Sequence, residues 1–206
     1  ELDGVLLSDA EGALWTSGML ENARARDLPQ FDRVVVGLDP ATTSGAASDA
    51  CGIVVVGAVM QGPPQNWRAY VIADCTVQGA SPAQWAQAAV AAMERFGGDR
   101  LVAEVNQGGQ MVAEVIRQVD PLVPYRAVHA SRGKVARAEP VAALYEQGRV
   151  KHAKKLNDLE DQMTRMTRFG YEGEGSPDRV DALVWAMHEL MIEPARKWRQ
   201  PGVRGL

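Results

Sequence analysis

Four carboxylates stand out because each interrupts or begins an apolar segment of the chain. Asp39 ends a short run of β-branched residues, and Glu104 interrupts a second apolar run. Asp178 and Asp181 are three residues apart, a spacing that places them on one face of a helix. Asp181 also begins an apolar stretch that has to be buried. A carboxylate in such a place is costly unless a cation or a proton compensates its charge.

Carboxylates that converge repel one another and attract divalent cations, and hard oxygen ligands with open positions suit Mg²⁺ or Mn²⁺. Two such ions about 4 Å apart can clamp the attacking and leaving oxygens of a phosphodiester. If the strand that ends at Asp39 lies beside the strand that contains Glu104, the two side chains meet at one end of a sheet. The last helix can then bring Asp181 across them. The pattern therefore predicts a two-metal site.

Each of these residues also has a purely structural interpretation. Asp39 precedes a proline and can form a turn, while Glu104 can pair with a buried arginine. Asp178 follows Ser176-Pro177, a common start of a helix, so it can serve as a capping residue. Asp181 is harder to explain in this way because it heads an apolar helix face.

Hydrophobic periodicity and chain breakers predict the elements that position these residues. Strands at 34–38, 52–60 and 67–77 are expected to form an antiparallel meander. Helices and strands alternate after that, with strands at 100–105 and 123–129 and helices at 82–96, 108–119, 132–147, 157–168 and 176–191. Residues 149–151 are expected to form only a short extended piece. This order predicts an α/β fold with a mixed five-stranded sheet and helices on both faces.

Length and composition limit the remaining possibilities. The 206 residues, 46% of them hydrophobic, suffice for one sizeable core. No run approaches the roughly 18 apolar residues of a membrane span, so no membrane partner is expected. Two cysteines provide neither a disulfide framework nor metal-ligand spacing, which indicates a reducing compartment. We expect residues 1–30 to be a connector, 31–195 the α/β domain and 196–206 a loose basic tail.

Basic residues are concentrated in one segment of this acidic chain. The net charge is −4, but residues 126–155 contain eight basic side chains and two acidic ones. This segment is either a phosphate-contact surface or a solvated helix face. Arg132, Lys134 and Arg137 fall beside the predicted metal site, so we predict that they contact the phosphate backbone. Asn106, just past the fourth strand, either orients a water or a phosphate or forms a turn.

The sequence resembles the C-terminal nuclease domain of viral or prophage-type large terminase subunits, which has a ribonuclease H-like fold. The resemblance covers most of the chain. It rests on VVVGLDP (34–40), CGIVV (51–55), AEVNQGG (103–109), RGKVARAEPV (132–141), LYEQGRV (144–150) and DRVDALVWA (178–186). The stretch GALW (12–15) resembles the linker between motor and nuclease in that family, and gene transfer agents contain terminases of the same kind.

The resemblance implies a Mg²⁺- or Mn²⁺-dependent endonuclease that cuts concatemeric double-stranded DNA during genome packaging, in the cytoplasm of the bacterial host cell. The acidic triad of the family maps onto Asp39, Glu104 and Asp181, and Asp178 matches an auxiliary metal-binding position. Asp39 would bridge two ions, and Glu104 and Asp181 would each hold one. Hydrolysis by a metal-activated water would then leave a 3′ hydroxyl.

The same resemblance implies an ATPase motor domain in the full-length protein, with a portal ring and a small terminase subunit as further partners. The chain has no Gly-x-x-x-x-Gly-Lys-Ser/Thr loop and does not begin with Met, so we expect a piece that lacks the motor. Two other functions stay open: a nuclease like the Holliday-junction resolvases, and a non-catalytic module that docks on DNA or on the portal. A nucleotide-binding protein of the actin-like kind would need two copies of the fold, which 206 residues cannot hold.

Overall fold

A computed structural model of the chain describes residues 9–40, 50–105 and 109–198. Its centre is a six-stranded mixed sheet of β1 (Arg33–Asp39), β2 (Gly52–Val59), β3 (Arg68–Asp74), β4 (Arg100–Glu104), β5 (Tyr125–Val128) and β6 (Val150–His152). The strand order across the sheet is β5-β4-β1-β2-β3-β6. The first three strands form the predicted antiparallel meander, while β4 and β5 continue the sheet parallel to β1.

The sheet has one strand more than the five that we predicted from sequence. The additional strand is β6, the piece that we expected to be merely extended. It pairs in parallel with β3, with Val150 opposite Ala69 and His152 opposite Val71. Three residues are too few for a strand signal of their own, so this strand depends on a partner about 80 residues earlier in the chain.

The described residues contain seven α-helices: α1 (Ser17–Asn22), α2 (Pro82–Phe96), α3 (Gly109–Val119), α4 (Lys134–Glu146), α5 (Asn157–Thr164), α6 (Asp178–Met187) and α7 (Glu193–Lys197). Five of them, α2 to α6, follow the predicted order, with differences at their ends. The helix predicted for 157–168 ends at Thr164, and a small hairpin of β7 (Met166–Thr167) and β8 (Gly170–Tyr171) follows. A π-helical turn, His188–Ile192, connects α6 to α7. The tail expected to be loose from 196 is helical to Lys197. Residues 41–49 and 199–206 lie outside the described residues.

Both faces of the sheet are covered, which explains why β1 is apolar at consecutive positions. Val34, Val36 and Leu38 contribute to the core beneath α2 and α3. Val35 contributes to the core on the other face, beneath α4, α5 and α6. Among the described residues, the helices are too short or too polar to cross a membrane.

Helix α6 lies unusually close to the sheet because two glycines face it. A Cβ at Gly37 would lie 2.0 Å from the carbonyl oxygen of Ala182, and a Cβ at Gly52 would lie 2.0 Å from that of Asp178. No larger residue fits at either position without moving the backbone of the helix. These two glycines therefore fix the first turns of α6 against the ends of β1 and β2.

Candidate functional site

The ends of β1 and β4 bring the first two predicted carboxylates to one edge of the sheet. The strands are parallel neighbours, with Leu38 opposite Ala103, so Asp39 and Glu104 follow at the same end. The prediction that these strands are adjacent is confirmed. Asp39 is also opposite Gly52, the glycine that contacts the backbone of Asp178. The start of α6 therefore lies at this edge as well.

Arg137 joins the carboxylates of β4 and α6. Its side chain is buried, with 6% of the residue exposed. A single nitrogen, Nη2, lies 3.4 Å from Oε2 of Glu104 and 3.2 Å from Oδ1 of Asp181. Two carboxylates that share one nitrogen are necessarily close, so Glu104 and Asp181 converge as predicted from the order of the elements.

Lys134, at the start of α4, contacts the other oxygen of the same aspartate. Its Nζ lies 2.6 Å from Oδ2 of Asp181 and 3.0 Å from Oγ of Ser176. Partial burial by itself lowers the pKa of Lys134, but the negative charges of Asp181, Asp39 and Asp178 outweigh it, so the pKa is raised. The ammonium group is thereby held in its charged form against the carboxylates.

Asp39 belongs to the same electrostatic cluster. Burial raises its pKa well above the ordinary value of 3.8, and the charges of Asp181, Glu104 and Asp178 raise it further. Lys134 acts in the opposite direction. All four predicted carboxylates therefore lie within electrostatic reach of one another, and their mutual repulsion is only partly offset by the cations of α4.

The donor set fits a divalent cation chemically, although the carboxylates are oriented toward cationic side chains. Within the described ranges, no three His, Cys, Asp or Glu side chains are grouped so as to hold a metal ion. Cationic side chains occupy the positions beside the carboxylate oxygens instead: Arg137 lies between Glu104 and Asp181, and Lys134 lies against the second oxygen of Asp181. Oδ2 of Asp181 is buried and accepts no hydrogen bond of good geometry in the described part of the chain. Among the described residues this oxygen has the Lys134 ammonium group beside it, and a metal ion that displaces the lysine is suited to that position.

The residues predicted to contact phosphate have different positions in the structure. Arg132 and Lys134 are exposed, whereas Arg137 is buried. Arg137 donates a hydrogen bond to the carbonyl oxygen of Arg132 at 2.8 Å, which ties the loop before α4 to the carboxylates. Asn106 lies outside the described residues. Phosphate contact by these residues stays a prediction.

Two residues that sequence reasoning did not assign to the site orient its members. Trp185 donates from Nε1 to Oε2 of Glu104 at 2.6 Å, and the Arg137 guanidinium carbon lies over its ring, 4.8 Å from the ring centre. Nε2 of His188 lies 2.9 Å from the carbonyl oxygen of Arg137. Trp185 follows Asp181 by four residues, a spacing that places both on one helix face and provided a signal for its role.

Comparisons with known proteins agree with this architecture. The sequence model of the terminase RNase H-like domain matches residues 36–190. No curated protein sequence matches the chain.

Among solved structures, the large terminase nuclease of thermophilic phage G20c superposes with a TM-score of 0.60 at 15% identity, over 86% of this chain and 98% of that one. It has also been solved with bound magnesium, cobalt and zinc. The nuclease domain of the large terminase subunit gp2 of bacterial virus Sf6 superposes with a TM-score of 0.62 at 15% identity, over 85% and 98% of the chains. The large terminase of bacteriophage HK97 gives 0.59 at 10% identity, over 86% of this chain and 43% of that one.

At these identities the structural likeness shows the fold, and the predicted ribonuclease H-like α/β fold is confirmed. The family follows from the sequence model, which spans well over half of the chain. The chain therefore belongs to the terminase family and is its RNase H-like domain.

Proposed function

We propose that this domain is the metal-dependent endonuclease of a large terminase and cuts concatemeric double-stranded DNA during genome packaging. The observation that carries the proposal is the convergence of Glu104 and Asp181 on one nitrogen of Arg137, at the sheet edge where Asp39 ends β1. Buried and half-buried carboxylates gathered in this way are costly for the fold, which supports a catalytic reason for keeping them.

The proposed metal ligands are Asp39, Glu104 and Asp181, with Asp178 as an auxiliary ligand and Mg²⁺ or Mn²⁺ as two ions. Divalent metals bound to the G20c nuclease support this choice. When bound, such ions lower the pKa of a water and stabilise negative charge on phosphate oxygens.

The side chains around the carboxylates have separate tasks in this proposal. Trp185 fixes the orientation of Glu104 through its indole N–H, and the hydrogen bond between His188 and Arg137 fixes the backbone of α4. Lys134 has a side chain that is 44% exposed, so it can turn from Asp181 toward a phosphate once a metal ion neutralises that aspartate. Arg132 is exposed at the same edge and is the second candidate for a phosphate contact.

The partners in this proposal are double-stranded DNA, an ATPase motor domain in the same full-length protein, the portal ring and the small terminase subunit. The large terminase of HK97 extends well beyond the part that this chain matches, which supports a further domain in the full-length protein. The place of action is then the cytoplasm of the bacterial host cell.

Plasmid digestion tests the proposal. We expect the wild-type domain to nick and linearise supercoiled plasmid in Mn²⁺ or Mg²⁺ and to be inactive in EDTA. The variants Asp39→Asn, Glu104→Gln and Asp181→Asn should each lose more than about 100-fold in rate, since even residues that only support metal ligands contribute 10- to 100-fold. Asp27→Asn is the matched control, because Asp27 is exposed and lies outside the cluster.

Circular dichroism of each variant establishes that it is folded. Unchanged cleavage by folded Asp181→Asn in Mn²⁺ would favour the docking module, in which the carboxylates are structural. Cleavage of four-way junctions in preference to linear and supercoiled duplex would favour a resolvase-like activity.

A further inference from the structure

A second charged cluster surrounds Glu189 in the π-helical turn. This residue is buried, with 4% exposed, and three arginines bind its carboxylate. Arg33 Nη2 and Arg100 Nη1 lie 3.1 Å and 2.8 Å from Oε1, and Arg126 Nη1 donates to Oε2. Arg126 also contacts Glu193 at 2.8 Å. No motif in the sequence predicted this cluster, because its members are contributed by three strands and a helix far apart in the chain.

The cluster lies at the N-terminal ends of β1, β4 and β5, whereas the candidate nuclease site lies at the C-terminal ends of β1 and β4. Arg33 and Arg100 are the first residues of β1 and β4, whereas Asp39 and Glu104 are the last residues of the same strands. Arg126 is near the start of β5, which is parallel to both. A strand of seven residues spans about 20 Å, so a phosphate bound at the carboxylates does not reach these arginines.

The arginines line an open pocket of about 430 Å³. Its charged lining residues are Arg33, Arg100, Arg126, Lys197, Glu189 and Glu193, and Trp67 forms part of an apolar wall. Four cations face two carboxylates, which leaves an excess of two positive charges. Asp99, which precedes Arg100, is not one of the lining residues, and its carboxylate accepts a hydrogen bond from the backbone N–H of Val34.

The pocket also holds hydrogen-bond donors that the fold does not use. In the described residues, the only partner of the Arg33 and Arg100 guanidinium groups is Glu189. Their side chains are 30% and 41% exposed, so the remaining N–H groups are accessible from the pocket. One arginine suffices to neutralise one carboxylate, and additional guanidinium groups around it repel one another. Guanidinium groups arranged around an open space are suited to bind a phosphate through paired N–H donors.

We propose that this pocket binds a dianionic phosphate group, either as inorganic phosphate or as the phosphate of a mononucleotide. The charge of −2 on a phosphate offsets the excess of two positive charges on the lining residues, whereas the single charge of a carboxylate offsets only half of that excess. The apolar lining residues Trp67, Pro194 and Trp198 together give the rest of a nucleotide a surface to contact. The inference does not depend on nuclease activity, since it involves none of the residues at the other edge.

Titration of the wild-type domain with inorganic phosphate in EDTA, against chloride at equal ionic strength, tests the proposal. We expect saturable shifts of the Nε–Hε signals of Arg33 and Arg100 in NMR spectra and a rise of the melting temperature. Arg100→Gln should weaken the apparent affinity about tenfold or more, which is the effect of losing one charge-assisted hydrogen bond. Arg95→Gln, an exposed arginine on α2, should bind phosphate as the wild type does.

Two further arms define the ligand. If adenosine 5′-monophosphate binds more tightly than phosphate, the nucleoside contacts the apolar wall. If the two bind equally, the site recognises only the phosphate group. Either result supports the proposal. Acetate binding as tightly as phosphate overturns it. The proposal is also overturned if phosphate causes no saturable shifts of the arginine signals, or if Arg100→Gln binds phosphate as tightly as the wild type. Lys197→Gln, at the exposed rim, is a second variant that leaves all contacts of Glu189 intact and should also weaken binding.

The use of EDTA separates this result from the plasmid assay, because metal-dependent chemistry is absent from the titration. Failure to bind phosphate would therefore contradict only the phosphate-binding proposal. Absence of plasmid cleavage would contradict only the proposed nuclease function.

Discussion

Arg137 is the residue through which the two sides of the candidate site are held together. It contacts Glu104 on β4 and Asp181 on α6 with the same nitrogen, and its guanidinium stacks on Trp185. In the absence of a metal ion it is a counter-charge that allows these carboxylates to be buried side by side. A bound divalent cation would take over much of that role.

Replacing Arg137 by alanine should therefore destabilise the domain in a way that depends on metal. We expect the free energy of unfolding in EDTA to fall by about 3 kcal/mol, the usual effect of removing one partner from a buried charge pair. In saturating Mg²⁺ the loss should be clearly smaller, because the ion neutralises Glu104 and Asp181. Urea denaturation in both buffers measures the difference, with Arg95→Ala as an exposed control. Equal losses in both buffers would mean that Arg137 acts only by packing against Trp185.

The sequence predicted that the carboxylates of the site converge and that Glu104 can pair with a buried arginine, but it did not indicate which arginine. Asp39, Glu104 and Asp181 each interrupt or begin an apolar run. Because burying a charge is costly, a carboxylate in such a position indicates that a cation or a proton compensates it. The sequence shows the charge of Arg137 without showing its burial, so we assigned it to phosphate. Its actual environment depends on which face of α4 lies against α6, and that is decided by tertiary packing.

At the level of elements, the position of α6 depends on glycines in the strands beneath it. A Cβ at Gly37 would lie 2.0 Å from the carbonyl oxygen of Ala182 and 2.9 Å from the carbonyl carbon. Backbone atoms cannot yield as the end of a side chain can. The helix must move away from the sheet to accept any larger residue, and Asp181 moves with it.

Gly37→Ala should consequently lower both stability and cleavage. We expect a loss of about 3 kcal/mol in the free energy of unfolding, at the upper end for an overpacked core, together with a strong loss of plasmid cleavage. Gly18→Ala provides the control, because Gly18 is in helix α1 and a Cβ there meets only Thr16 Oγ1 at 4.0 Å. That change should leave stability equal or slightly higher, since alanine favours helix. A Gly37→Ala variant as stable and active as the wild type would show that α6 is not fixed by this contact.

The elements with strong local signals were predicted correctly, and those defined by distant partners were not. Helix α2 begins with a capping box between Ser81 and Gln84 and ends at Gly97, whose φ is +61°. Residue types at these three positions are the usual signals for the two ends of a helix. The hairpin of β7 and β8 replaced the end of a predicted helix. Its Thr167 bridges to Ala13, and Met166 accepts a hydrogen bond from Leu14. Helical periodicity in the sequence cannot reveal pairing with a segment about 150 residues away.

On the scale of the whole molecule, a buried network ties the N-terminal segment to the far end of the sheet. Arg24 Nη2 donates to Oε2 of Glu160 at 2.6 Å, and Nδ1 of His152 lies 2.9 Å from Oε1 of Glu160. Tyr145 lies 2.8 Å from the other ring nitrogen of His152. Burial opposes ionisation of Glu160, but the hydrogen bonds from Arg24, His152 and the backbone N–H of Leu156 outweigh it and lower its pKa to about 2.

This depressed pKa predicts how the stability of the domain responds to acid. The unfolded chain takes up the proton of Glu160 near its ordinary pKa of 4.5, whereas the folded chain does so only near 2. The stabilisation by the ionised Glu160 is therefore complete above pH 4.5 and is lost as the pH falls from 4.5 toward 2. A pKa difference of this size corresponds to about 3 kcal/mol of unfolding free energy at neutral pH.

Urea unfolding at pH 7, 5, 3.5 and 2.5 measures this effect. We expect the free energy of unfolding of Glu160→Gln to be lower than that of the wild type by about 3 kcal/mol at pH 7, and the difference to shrink toward pH 2.5. Glu94→Gln, at an exposed position on α2, should follow the wild type at every pH. A deficit of Glu160→Gln that stays constant from pH 7 to 2.5 would show that the network stabilises the fold by packing and not by the charge of Glu160.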